Sequence, residues 1–134
     1  MTYEEFQKYY EEDGDKTFAE LSKLSESELL KLIANKNESR YQIWQGKDNY
    51  QVWTALQSKG TSKSIKPLFN IVSDMKNDYL IRYHACNALF AIAGIKDEDF
   101  KGEVQYGLDK NRQPVNRQNA IDKLENIFNK YSDL

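Results

Sequence analysis

The stretch SIKPLFNIVSDMKNDYLIRYHACNALFAIAG, residues 64–94, decides the fold. Ile65, Leu68, Phe69 and Val72 fall at i, i+3, i+4 and i+7, the spacing of one apolar helix face. Residues 61–64 supply N-cap candidates. Pro67 sits in the first turn, where a missing N–H costs no helical hydrogen bond. A polar turn follows at 74–77, and Asp78 stands where a second helix needs its cap. In that helix Ile81, Ala85, Ala88, Leu89 and Ile92 form the stripe predicted to be buried, and Gly94 ends it. The alanines allow a neighbouring helix to approach closely. The pattern therefore predicts two amphipathic helices folded back on each other.

The same pairing extends in both directions. On the N-terminal side, Ser25 and Glu28 have the spacing of a capping box, and Leu24 and Leu29 that of a hydrophobic staple. Leu29, Leu32 and Ile33 continue the stripe until residues 35–37. Residues 38–59 give room for one long helix, with Ile43, Tyr50, Trp53 and Leu56 on a shared face. Gly46 weakens its middle by about 1 kcal/mol relative to alanine, and Gly60 is a natural stop. On the C-terminal side, Asp97 is placed to cap a helix bearing Phe100, Val104 and Leu108, which Gly102 and Gly107 weaken. Pro114 is expected at the first position of a last helix, whose apolar face is Ala120, Ile121, Leu124, Phe128 and Tyr131. Residues 3–12 place Tyr3, Phe6 and Tyr10 at helical spacing, ahead of a break at Gly14. No stretch alternates with the period of a strand. The expectation is one all-α domain over residues 1–134, with residues 1–24 as a helical extension and 25–131 as a stack of helix pairs.

Composition narrows the function classes. The chain has 134 residues, 40% hydrophobic and 30% charged, the balance of a soluble globular domain. A net charge of -2 argues against a general polyanion binder, so nucleic acid is an unfavoured partner. The charge is uneven: residues 1–30 hold nine acids and three lysines, 3 - 9 = -6. Residues 31–134 hold 16 bases and 12 acids, 16 - 12 = +4. The single cysteine, Cys86, permits no intrachain disulfide, which fits a reducing compartment. The first residues lack the basic and apolar regions of a secretory signal, and no apolar run approaches the roughly 20 residues of a membrane span. A cytoplasmic protein with no membrane contact is expected.

The residues able to carry chemistry are few. His84 has no acid or cysteine at metal-ligand spacing, and Cys86, two residues on, falls on another helix face. Asp97, Glu98 and Asp99 are accounted for by the preference of a helix start for acids. No catalytic residue, metal site or cofactor is expected.

Residues 64–94 resemble a HEAT repeat. Leu68, Phe69 and Val72 stand for the stripe that closes its first helix, and Asp78, Ile81-Arg82, Ala85 and Ala88-Leu89 for the Asp, V-R and A-x-x-A-L of its second. Leu56 to Gly60 and the pair Ala120 and Leu124 extend the likeness over about residues 38–128, where the chain resembles the small bacterial HEAT-like proteins grouped as domain-of-unknown-function family 2019. The resemblance implies a short right-handed α-solenoid of about three HEAT-like pairs at a period of roughly 35 to 40 residues. It gives Arg82 a structural part as a lock on the turn between helices. It also implies that the second helices of the pairs line a groove, with Tyr41, Trp44, Gln45, Tyr83, Asn87, Arg117 and Gln118 as candidate protein-binding residues. By analogy of fold, size and charge, the implied function is a non-catalytic module that binds another protein, with a bacterial immunity protein neutralising a cognate toxin as the leading reading. The alternatives are a DNA-binding or alkylated-base glycosylase protein, supported by the basic residues and tryptophans after position 30, and an adaptor or assembly scaffold.

Overall fold

The computed structural model describes residues 2, 4, 5, 19–34 and 51–129. Among the described residues the regular structure is helical: α1 (Glu26–Ala34), α2 (Gln51–Lys59), a 3-10 turn (Ser62–Ser64), α3 (Ile65–Ser73), α4 (Tyr79–Ala93), α5 (Glu98–Tyr106) and α6 (Arg117–Asn129). One isolated antiparallel bridge joins Leu108 and Pro114. The protein is thus all-α. The chain divides into two compact units, Met1–Lys59 and Gly60–Leu134.

In the first unit, α1 begins on the expected capping box. The Glu28 N–H donates to Ser25 Oγ at 3.2 Å, and the Ser25 N–H donates back to Glu28 Oε1 at 3.4 Å. Leu29 and Ile33 are buried on α1, and Val52, Trp53, Ala55 and Leu56 on α2. α1 packs on α2. The Lys59 ammonium, at the end of α2, donates to the carbonyls of Ser22 and Leu24, tying α2 to the turn that leads into α1. Of the long helix expected over 38–59, residues 51–59 are described as helix; the part through Gly46 lies outside the described residues.

The second unit is built on the quoted stretch. Thr61 caps the 3-10 turn, accepting from the Lys63 N–H. Ser64 is buried at the start of α3 without a side-chain cap bond to it. Ile65, Leu68 and Val72 are buried, as their spacing requires. Asp78 caps α4 by accepting from the Leu80 N–H at 3.2 Å. The Arg82 side chain donates from Nε to the Asn77 carbonyl at 3.1 Å, so it holds the interhelical turn. On α4, Ala85, Ala88 and Leu89 are buried, and so are Cys86 and Phe90. Ile81 and Ile92, expected in the buried stripe, are only half-buried, so the buried face is shifted toward Cys86 and Phe90 and concentrated in the middle of the helix. This helix is covered on two sides, by α3 and by α5.

Gly94 ends α4 in the left-handed conformation, φ 72°, with the Ile95 N–H returning to the Phe90 carbonyl at 3.0 Å and the Gly94 N–H to Ala91 at 3.3 Å. A Cβ at position 94 would meet no atom within 4 Å. Gly94→Ala therefore tests backbone strain alone. It should cost about 1–2 kcal/mol in a urea melt and leave the far-ultraviolet spectrum unchanged. A loss below a few tenths of that scale would remove the left-handed cap from the account.

The C-terminal pair differs from expectation in detail. Asp97 caps α5, accepting from the Phe100 N–H at 3.0 Å, but the helix ends at Tyr106. Gly107, with φ 68°, terminates the helix rather than weakening its interior. Leu108 lies beyond it, and Pro114 is not at the first helical position of α6. The reason is Asp109, whose Oδ1 accepts from the N–H groups of Asn111 at 2.8 Å and Gln113 at 2.9 Å. That carboxylate folds residues 107–115 into a tight loop closed by Val115 N–H to Gly107 O at 2.9 Å. Asn116 then precedes α6 and accepts from the Asn119 N–H at 3.3 Å.

Within the second unit α4 packs on α3 and α5, and α6 on α5 and α3. Arg117, at the start of α6, reaches Val72 near the end of α3. Phe128, near the end of α6, meets Phe69 edge-on at 6.1 Å between ring centroids. α6 is therefore antiparallel to α3, and the four helices form an up-and-down ring. Leu68, Val72, Leu89, Val104, Ile121, Leu124 and Phe128 supply the core.

Cys86 is fully buried on α4, and burial pushes its thiol up to about 12 from an ordinary value of 9.0. The thiol stays protonated and shielded at neutral pH. Iodoacetamide at pH 8 is expected to leave Cys86 unmodified in the folded protein and to modify it fully in urea, read by mass spectrometry. The sign of the linkage is alkaline: the folded thiol holds its proton more tightly, so its contribution is complete below about pH 9 and is lost as pH rises toward 12.

Candidate functional site

Among the described residues, four large hydrophobic side chains are exposed: Met75 (63%), Tyr79 (44%), Leu80 (45%) and Tyr106 (49%). All four belong to one end of the helix ring. Met75 is in the turn between α3 and α4, Tyr79 and Leu80 open α4, and Tyr106 closes α5. An apolar group this concentrated departs from the scattered exposure usual for soluble surfaces.

Tyr83 links them. Its ring lies 6.3 Å from that of Tyr79, one turn earlier on α4, and 6.1 Å from that of Tyr106 on α5. His84 packs edge-on against it at 5.1 Å. The cluster is held from beneath by Gln105, a buried side chain whose Nε2 donates to the Tyr83 carbonyl at 3.2 Å and to Asn87 Oδ1 at 3.0 Å. This fixes the end of α5 against α4, so Tyr83 and Tyr106 are presented at a set spacing. Partial burial first, and the hydrogen bond with the Tyr83 side chain next, hold the Tyr106 phenol above its ordinary value. Burial lowers the pKa of His84. Its neutral form is favoured in this cluster.

On the adjoining side stand two arginines. The Arg82 guanidinium lies 5.7 Å from the centre of the Tyr79 ring and donates from Nη1 to the Met75 sulfur at 3.4 Å. The Arg117 Nη1 donates to the same sulfur at 3.1 Å. Arg117 also donates from Nε to the Val104 carbonyl at 2.8 Å and from Nη2 to the Val72 carbonyl at 2.7 Å. These carbonyls lie in the last turns of α5 and α3, where helical partners run out. Burial first, and the nearby charge of Arg82 second, lower the Arg117 pKa.

The residues expected to line a groove are distributed as follows. Tyr83 and Asn87 lie together at this end of the ring; Asn87 is half-buried and engaged by Gln105. Arg117 borders the same end, with two of its nitrogens spent on helix carbonyls. Gln118 is exposed on α6 and donates to Asp122 at 2.8 Å. Tyr41, Trp44 and Gln45 lie outside the described residues. Tyr79, Leu80, Met75 and Tyr106 escaped the sequence reading. Tyr79 carried a usable signal, its i, i+4 relation to Tyr83 at the start of a helix. Tyr106 carried none, since only the packing of α5 on α4 brings it there.

Elsewhere in the second unit, a cleft of about 360 Å³ separates the start of α3 from the end of α6, with Phe69 and Phe128 among its walls. Among the described residues no three His, Cys, Asp or Glu side chains converge as metal ligands, and no helix is long and apolar enough to cross a membrane.

No family model, curated protein or solved structure matches the chain.

Proposed function

We propose that the chain is a non-catalytic, HEAT-like protein-binding module, acting in the bacterial cytoplasm as an immunity protein that binds and neutralises a cognate toxin. The observation carrying this reading is the aromatic cluster of exposed Tyr79 and Tyr106 around half-buried Tyr83, with Leu80 and Met75 also exposed at the same end of the ring. Tyrosine and methionine are favoured at protein interfaces, because they bury large area with few torsions to fix or adapt to an irregular partner. Gln105 and the helix ends hold the cluster in place, which lowers the ordering cost of association.

The HEAT-like part of the proposal is supported by the α3–α4 hairpin, with its Asp78 cap, its Arg82 turn lock and its buried Ala85, Ala88 and Leu89. The return of α6 onto α3 departs from a regular stack, in which first helices pack on first helices. The toxin reading draws on charge: residues 1–30 carry a balance of 3 - 9 = -6, suited to steering toward a basic surface on the partner, apart from the segment that meets the aromatic cluster.

The test is co-expression with the toxin-like product of a neighbouring gene. The wild-type chain should restore growth and copurify with that product, and the double substitution Tyr79→Ala, Tyr106→Ala should weaken the complex at least about 100-fold while the chain stays folded. Failure of the wild type both to bind and to protect removes the immunity reading.

A further inference from the structure

We infer that Arg82 and Arg117 form a carboxylate-binding subsite beside the aromatic cluster, and that the partner's docking segment is therefore an acidic protein segment carrying apolar or aromatic side chains. The inference rests on the protein-binding reading and specifies the partner's chemistry at that site.

Two guanidinium groups converge here. Both donate to the Met75 sulfur, at 3.4 and 3.1 Å, and burial first, with the charge of Arg82 second, lowers the Arg117 pKa. Among the described residues no carboxylate pairs with either. Like charges at this separation repel, and an anion between them removes that cost. A thioether is a poor substitute for such an anion: it is a weak acceptor on an unbranched, flexible chain. Met75 is also 63% exposed, so an incoming group can move it aside without opening the core.

The donors are available. Arg82 uses Nε on the Asn77 carbonyl and one N–H of Nη1 on Met75, and Nη2 remains. Arg117 keeps one N–H on each of Nη1 and Nη2 after its bonds to Met75 and Val72. Its bonds to Val104 and Val72 hold the group rigid, so little freedom is lost on binding. A planar carboxylate suits such paired donors. The neighbourhood then selects a protein over a free anion or nucleic acid. Tyr79 lies under Arg82, Leu80 and Tyr106 are exposed, and a cationic corner of two arginines lacks the extended basic track of a phosphate-backbone binder.

The test uses two synthetic peptides, acetyl-GDLYEG-amide and its acid-free twin acetyl-GNLYQG-amide, titrated into the full chain while arginine Nε–H and tyrosine ring signals are followed by NMR. The acidic peptide should shift Arg82, Arg117, Tyr79 and Tyr106 together and bind at least about 10-fold tighter than its twin. In Met75→Glu, a carboxylate supplied by the chain itself should fill the subsite. Its thermal midpoint should rise by about 4 °C, and the preference for the acidic peptide should vanish. Equal affinity for the two peptides, with shifts confined to the tyrosines, overturns the subsite and leaves the protein-binding reading standing. Absence of any shift at 5 mM of either peptide (about the weakest binding that matters here) overturns it as well. Arginine shifts with 10 mM inorganic phosphate as large as those with the acidic peptide would overturn the choice of a protein carboxylate.

Discussion

Replacing Phe90 with alanine is expected to destabilise the protein by about 3–5 kcal/mol, the range for deleting a buried aromatic ring. Phe90 is 2% exposed on α4, and its ring lies 5.7 Å from that of Phe100 on α5. The loss combines the transfer free energy of the ring with the cavity left between two helices that cannot fully close around it. The other side of that contact is also fixed, since the Lys123 ammonium lies 4.5 Å from the centre of the Phe100 ring. A thermal midpoint lower by on the order of 10 °C or more should accompany the change. Phe90→Leu keeps most of the volume and should cost about half as much or less. Equal costs for the two variants would mean that the cavity is not the cause.

Arg117→Ala is expected to cost about 3 kcal/mol, although the residue is only half-buried and forms no ion pair among the described residues. The penalty comes from what is left behind. The Val104 and Val72 carbonyls, at the ends of α5 and α3, lose donors at 2.8 and 2.7 Å. An acceptor deprived of its partner away from water carries its full desolvation cost. The guanidinium also places positive charge against the negative ends of two helices. Arg117→Lys restores the charge, but a single ammonium cannot reproduce the fork that reaches both carbonyls, so it should recover about half of the loss. Urea melts measure the total, and amide exchange in the last turns of α3 and α5 locates it. A variant within about 0.5 kcal/mol of the wild type, with exchange unchanged, would reduce Arg117 to a surface residue.

How much was legible follows from how far each determinant acts along the chain. The α3–α4 hairpin could be read from residues 64–94 because its causes are local. The 3.6-residue period, the Asp78 cap and the left-handed Gly94 each involve neighbours within about a turn or two. The capping box at Ser25 and Glu28 was legible for the same reason. The start of α6 was misplaced because Pro114 is a good first helical residue in general. Here, though, the Asp109 carboxylate folds residues 107–115 into a loop that delays the helix to Arg117.

Phe90 lay off the expected stripe of α4, because a stripe assumes one covered side and α5 covers a second. The candidate site shows the same division. Tyr83 and Asn87 were reachable from a helix face, and Tyr79 was one turn away. Tyr106 and Gln105 join them only through the packing of α5 on α4. Arg117 meets Arg82 at Met75 across 35 residues of chain, 117 - 82 = 35.

The sequence by itself thus determined the all-α class, the central hairpin, and its caps and stops. Those follow from periodicity, backbone preference and composition, which short-range physics fixes. Only the tertiary structure decided that α6 returns to α3, that one arginine satisfies the ends of two helices, and that the exposed tyrosines and paired guanidinium groups share one end of the ring. Those depend on which distant surfaces exclude water together, and no local pattern specifies that.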